Sequence, residues 1–589
     1  MWLKKKINAL RRIGYWSLAV WGLLWSTQSY ADNALIEWHP IYHPIEADAG
    51  MVATQEHRAS RIGAEVLARG GNAVDAAVAI GFSEAVTLPK AGNIGGGGFM
   101  LIYLAKEQKT IAIDYREAAP AAAFRDMFLD DKGDVDKNKS RYSSLSSGVP
   151  GTVAGMLHAL KHYGSISRQE AIQPAIDLAA KGFVADRPYL ASLDARKKRL
   201  LKDPEFARVY FNQSKPYQVG DLIKLPELAW TLTQIKKKGR DGFYKGPVAE
   251  KIADYMSKSG GLISVDDLAN YQIKERKAVT GNYRGYQVIS MPPPSSGGIH
   301  IIQALNILER FPMASMGWGS AQHVHTMTEA FKRIYADRSQ FLGDPDFVKI
   351  PAKDIMSKDY AKALAKNISS GKATPSSAIK AGVLHAESPQ TTHYSVMDKW
   401  GNIVTNTYTL NFSFGSGKVV PGTGIILNNE MDDFSSKPGV PNAYGLIGGE
   451  ANAIEGGKRP LSSMTPTIVM KDGQPVLVTG SPGGSRIITA VIHQIVNLVD
   501  FKMNIAEACS VPRFHHQWYP DKLMLEKGYS PDTVRALQGM GHNVVATRAF
   551  GSVQSVAQDK DGKYLGASDP RRLGAQAVGV TKNGTLVFY

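Results

Sequence analysis

Glu387-Ser-Pro-Gln-Thr-Thr-His-Tyr-Ser-Val-Met397 is followed by Asp398-Lys-Trp-Gly-Asn402 and then by Ile403-Val-Thr-Asn-Thr-Tyr-Thr-Leu-Asn411, and this run decides the fold. Its flanks are rich in Thr, Tyr, Val and Ile, which fit a pleated, half-buried surface. Its middle carries Asp, Gly and Asn, which tolerate the dihedral angles of a tight turn. The pattern is that of a β-hairpin. With a short loop at 399–401, Met397 pairs with Ile403, and each step outward keeps the sum of the paired numbers constant. Thr391 then falls opposite Thr409. Side chains two apart share one face of a strand, so Thr391, Thr409 and Asn411 gather on one face, and a slip of one residue would part them. Cross-strand threonines also stabilise plain sheets, so the hairpin alone does not make a site.

The chain has 589 residues, 43% of them hydrophobic and 21% charged, which is ordinary for a globular protein with a large core. Its net charge is +16, and loss of the five basic side chains of residues 1–31 would leave +11. The remaining excess is spread out, apart from runs such as Arg196-Lys-Lys-Arg199 and Lys236-Lys-Lys238, which read as solvated helix faces. No zinc-finger spacing, aromatic RNA-binding motif or long basic arm accompanies them, so nucleic acid is not an expected partner. A positive field can draw in anionic substrates.

Lys4-Lys-Lys6 and Arg11-Arg12 precede the apolar run Ile13–Trp25, and Ser29-Tyr30-Ala31 follows. The run is short for a bilayer span, which takes about 20 residues. Residues 1–31 read as a secretory signal peptide cut after Ala31, giving a periplasmic or secreted protein with no membrane anchor once cut. The single cysteine, Cys509, allows no internal disulfide and reads as a small buried hydrophobe.

Further along, Glu56–Arg69 and Ala73–Val86 have helical spacing, the second capped by Asn72. Gly92-Asn-Ile-Gly-Gly-Gly-Gly-Phe-Met100 leads into a strand at Leu101–Leu104. It lacks the Gly-Lys-Ser/Thr ending of a phosphate loop and leads into a strand rather than a helix, so close backbone packing is expected instead of a nucleotide. Thr110–Tyr115 reads as a strand delivering Arg116, whose planar fork suits a carboxylate. His323 and His325 do not share a helix face, and no metal site is read anywhere. Residues 343–390 have linker composition and end directly at Thr391. Asn429-Glu-Met-Asp-Asp433 sets carboxylates at a strand end. Pro438–Gly449, with its one aromatic Tyr444, suits a lid or a plain surface loop alike. A strand at Pro475–Thr479, the turn Gly480-Ser-Pro-Gly-Gly-Ser-Arg486 and a helix at Ile487–Asp500 present backbone N–H groups that suit an anion or an oxyanion.

Together the stretches Gly92–Met100, Tyr115–Ala118, Gly148–Thr152, Pro292–Gly298, Ser388–Tyr394, Asn428–Phe434, Arg459–Thr465, Gly480–Arg486, Pro512–Trp518 and Gly566–Pro570 make the chain resemble a γ-glutamyltranspeptidase over nearly all of its mature length. The resemblance implies an α+β fold, the four-layer αββα sandwich of the N-terminal nucleophile hydrolases. It implies a precursor that cuts itself between Gln390 and Thr391 into a large subunit, residues 32–390, and a small catalytic subunit, residues 391–589, which remain together as a heterodimer. Thr391 would be the nucleophile and Thr409 would orient it, while the N–H groups of Gly483 and Gly484 would hold the oxyanion. Arg116, Ser462 and Ser463 would bind the α-carboxylate of a γ-glutamyl donor, and Asn411, Glu430 and Asp433 its α-ammonium. Tyr444 would gate the site. Glutathione and related γ-glutamyl compounds would be donors, with water, amino acids or dipeptides as acceptors and no cofactor. A relative acting on another acyl group and a secreted binding protein that never cuts itself are the alternatives.

Overall fold

A computed structural model describes residues 42–211, 216–379, 391–437, 439–440 and 449–589. The expected signal peptide, Gln390 and Tyr444 lie outside them, as does most of the expected lid.

Two antiparallel sheets form the centre. The first has eight strands in the order Leu586–Val587, Gln576–Val580, Gly50–Thr54, Thr392–Asp398, Ile403–Thr409, Gly97–Leu104, Lys109–Tyr115 and Lys274–Arg276. The second has seven: Ile45–Ala47, Tyr564–Ser568, Gln554–Gln558, Gln474–Thr479, Thr467–Lys471, Tyr286–Ser290 and Val279–Tyr283. Segments from before and after position 390 contribute strands to both, so neither half of the chain owns a complete sheet.

Period-two side-chain alternation gives each sheet two buried faces. Met51, Phe99, Leu101, Met397 and Ile403 meet Ile468, Met470, Val478 and Val556 between the sheets. On the outer face of the first sheet, Val52, Ile102, Tyr394 and Val396 pack with helices that include His57–Ala68, Ala73–Thr87 and Arg168–Lys181. Gly297–Leu308, Ala321–Phe341 and Arg486–Val499 cover the second. The result is four layers, helix–sheet–sheet–helix. The helix Ala73–Thr87 is buried at every residue, as an all-round apolar helix must be, and Asn72 caps it by accepting from the N–H groups of Val74 and Asp75.

The hairpin has the expected register: Met397 pairs with Ile403 and Thr392 with Tyr408. Two expectations need correction. The strand after the glycine run begins at Gly97, not Leu101, because the glycines themselves pair: Gly97 lies opposite Thr409. A Cβ at Gly96 would stand 2.0 Å from the Thr409 carbonyl oxygen, so only glycine permits this approach.

Residues 343–379 are not a linker. They contain the helices Ala352–Ile355 and Lys358–Lys366, and residues 373–376 are tied to distant parts of the chain by hydrogen bonds. Glu329 accepts from Thr374 N, Lys332 donates to Thr374 O, Ala373 N donates to Met540 O, and Trp518 Nε1 donates to Ser376 O. Backbone polar groups can be buried when partnered in this way, and the partners come from distant sequence.

Among the described residues no helix is long and apolar enough to cross a membrane. Cys509 is buried as expected, and burial pushes its thiol up to about 12.

Candidate active site

Thr391 stands just before the strand Thr392–Asp398, on the face turned toward the second sheet. Its Oγ1 lies 3.2 Å from Thr409 Oγ1, and Thr409 Oγ1 accepts from Asn411 N at 2.9 Å. Asn411 has a φ of +70°, a left-handed conformation that Asn tolerates, and its side chain donates to Asn429 O at 2.9 Å. Gln55 Nε2 donates to the Thr391 carbonyl at 3.3 Å. The three residues singled out by register thus share one small pocket, lined also by Arg116, Glu430, Asp433, Ser462, Ser463 and Gly484.

Each further residue arrives at the end of an element. Arg116 follows the strand Lys109–Tyr115, as expected. Glu430 and Asp433 come from a single 3-10 turn, Glu430–Asp433. Ser462 and Ser463 precede the strand Thr467–Lys471, and Ser296 N donates to Ser462 O at 2.8 Å, joining that segment to the Pro-rich loop. Gly484, with a φ of +59°, lies in the turn between the strand Gln474–Thr479 and the helix Arg486–Val499. Gly483 precedes it and is not itself part of the pocket wall.

Arg116 is fully buried and is engaged in several directions. Its Nη1 donates to Glu430 and approaches Glu117 at 3.5 Å. Its Nη2 donates to Asp433 at 2.5 Å, and its Nε to Pro460 O at 3.2 Å. Burial works against the charged guanidinium, but Glu430, Asp433 and Glu117 outweigh it and raise the pKa. Burial also pushes the three carboxyls up against the pull of Arg116, Glu117 to about 7. Three acids share one cation, and Glu430 Oε2 is buried without a partner among the described residues. Arg116, expected to meet a ligand carboxylate, and Glu430 and Asp433, expected to meet a ligand ammonium, here pair with each other.

The sequence reading missed Arg338, Met464 and Ile487, which also line the pocket. Arg338 and Tyr335 sit three apart on the helix Ala321–Phe341, so they share a face, and Tyr335 Oη donates to Ser485 O beside the glycine turn. Nothing in the sequence sets this pair apart from the many other polar residues of the same helix.

Two clusters elsewhere among the described residues, His325 with Glu329 and His542, and Glu56 with His57 and Asp186, each bring ligand atoms within 4.8 Å of one another. In the second, Arg58 already pairs with Glu56 at 2.8 Å and Asp186 at 2.9 Å. Glu329 is already paired with Lys332 at 3.0 Å and Arg333 at 2.8 Å, and His325 Nδ1 shares a hydrogen bond with His542 Nε2 at 2.8 Å. Two cations beside the first cluster oppose a metal ion there.

A threonine at a strand start between two sheets, beside a hydroxyl partner and a strand–glycine–helix turn, is the arrangement expected of an N-terminal nucleophile hydrolase. The model of the γ-glutamyltranspeptidase family matches residues 59–579, and the chain belongs to that family. The glutathione hydrolase proenzyme of Escherichia coli is 54% identical over 535 residues, covering 90% of this chain and 92% of that protein. Among solved structures, the Helicobacter pylori γ-glutamyltranspeptidase is 45% identical with a TM-score of 0.55, covering 59% of this chain and 97% of that one. A cephalosporin acylase from Bacillus halodurans has a TM-score of 0.82 at 25% identity, covering 93% and 99%.

Proposed function

We propose that this protein cuts itself between Gln390 and Thr391 and then acts as a γ-glutamyl hydrolase and transferase on glutathione and related donors. The observation that carries the reading is the single pocket that joins Thr391 and Thr409 to Arg116, Glu430 and Asp433. It combines a nucleophile with charges of both signs, which is what a γ-glutamyl zwitterion requires. Holding both charged ends orients the γ-carbonyl toward the hydroxyl.

In the continuous chain the nitrogen of Thr391 is a peptide nitrogen and cannot act as a base. Once freed it is an α-amine with an ordinary pKa of about 7.7–8.0, able to take the proton from its own hydroxyl. Thr391 Oγ1 then adds to the γ-carbonyl, and the negative charge that develops meets the N–H groups of Gly483 and Gly484. The amide C–N bond breaks, the leaving amine takes the proton, and a γ-glutamyl ester remains on Thr391. Water releases glutamate, and an amino acid or dipeptide amine yields a new γ-glutamyl compound.

An entering zwitterion exchanges partners with an internal ion pair. Its carboxylate takes Arg116 and its ammonium takes Glu430, whose spare oxygen supports this role, and Asp433. The interleaved strands support a heterodimer of residues 32–390 and 391–589 that stays assembled after the cut. The signal read in residues 1–31 supports a periplasmic location. Release of a chromogenic anilide from its γ-glutamyl conjugate tests the reading. Turnover by the self-cut wild type and none by Thr391→Ala is expected. Clean cutting without turnover would point to a different acyl group.

A further inference from the structure

Arg338 is a second cation in the pocket, 4% exposed. Its Nε donates to Ser296 Oγ at 2.9 Å and its Nη2 to Ser463 Oγ at 3.1 Å. A hydroxyl has one proton to give and two lone pairs with which to accept, so the protons can be followed. Ser296 gives its proton to Ser462 O at 2.8 Å. Ser462 Oγ accepts from Met464 N at 3.1 Å, and Ser463 Oγ accepts from Arg338. Among the described residues neither the Ser462 nor the Ser463 hydroxyl proton has an acceptor. Two adjacent O–H donors therefore line the pocket, each with its oxygen already held from behind.

Arg116 differs. Its Nε, Nη1 and Nη2 all reach protein acceptors, and its charge is shared among Glu430, Asp433 and Glu117.

We propose that Arg338 is a positioning and specificity residue for the α-carboxylate of the donor. It holds Ser463 directly, and the Ser462 segment through Ser296, so that both hydroxyls donate to the carboxylate. It also adds positive charge beside Arg116, where the carboxylate of the donor would lie. This rests on the γ-glutamyl reading above and adds to it a residue outside the motifs that identify the family.

The test compares kcat/KM for an L-γ-glutamyl anilide with that for the same anilide carrying an α-carboxamide in place of the α-carboxylate. In Arg338→Gln the carboxylate donor should lose roughly tenfold or more, chiefly through KM, as expected for hydrogen bonds to a charged group. The carboxamide donor should change little, so the ratio falls. Arg338→Lys should recover part of it. Equal loss on both donors would overturn the proposal and leave Arg338 a structural residue. If Arg338→Gln does not fold and cut itself, Arg338→Lys and Ser296→Ala are read by the same ratio, and a wild-type ratio in both would overturn the proposal. A wild type that does not prefer the carboxylate donor would instead overturn the γ-glutamyl reading, and this inference with it.

Discussion

The guanidinium of Arg116 donates to the carboxylate of Asp433 at 2.5 Å, although the two stand 317 positions apart. Arg116 is fully buried and Asp433 partly so, and Glu430 shares the same fork. A ligand with one carboxylate and one ammonium can replace this pairing, its carboxylate taking the guanidinium and its ammonium the acids. Loss of one partner of a buried pair is costly, about 3–5 kcal/mol.

Arg116→Lys separates charge from geometry. Lysine keeps the cation that Glu430 and Asp433 require but loses the planar fork. The variant should still fold and cut itself, while kcat/KM for a γ-glutamyl donor falls roughly tenfold to a hundredfold through KM. Steady-state kinetics on the purified, cut protein check this.

Thr409→Val removes the hydroxyl that stands 3.2 Å from Thr391 Oγ1 and keeps the side-chain shape. It also leaves Asn411 N without its acceptor, at a cost of about 1–3 kcal/mol. Self-cutting should slow at least about tenfold, as expected for a mis-set nucleophile. A time course by denaturing electrophoresis measures it.

Gly96→Ala would force a Cβ to 2.0 Å from Thr409 O. The strand pair must separate, at about 1–3 kcal/mol for overpacking, and Thr409 moves with it. A lower melting temperature together with incomplete cutting is expected. A variant that melts like the wild type and cuts fully would show that the approach of the two backbones is not needed.

Glu84 is fully buried against Thr392, whose Oγ1 donates to its Oε2 at 3.1 Å. Burial, helped by the charge of Glu56, raises its pKa from 4.5 to about 8. Between those values the folded chain holds a proton that the unfolded chain has lost, so stability falls as pH rises through that window. Below it both states are protonated and the contribution is fully present. Glu84→Gln, neutral at all pH, should show a smaller drop in melting temperature than wild type between about pH 5 and about pH 8.

The hairpin was legible because its register follows from one turn and simple counting, and Thr391 and Thr409 fell where the count put them. The Gly480–Arg486 turn was legible because a strand, two glycines and an apolar helix punctuate the sequence. The pairing of Arg116 with Glu430 and Asp433 was not, since charges at the ends of separate elements carry no mark of their distant partners. Residues 343–379 read as a linker for the same reason: their partners include Trp518 and Met540, far along the chain. Arg338 was hidden among the many polar residues of its helix, and a buried arginine has the same letter as an exposed one.

During turnover Thr391 should carry the γ-glutamyl group. The direct measurement is the intact mass of the small fragment after rapid acid quench during turnover of a γ-glutamyl donor, with the modified residue located by peptide sequencing. A fragment beginning at Thr391 and heavier by one γ-glutamyl group, with the adduct on Thr391, is the predicted result. A fragment that never gains mass while donor is consumed, or an adduct on another residue, would contradict it.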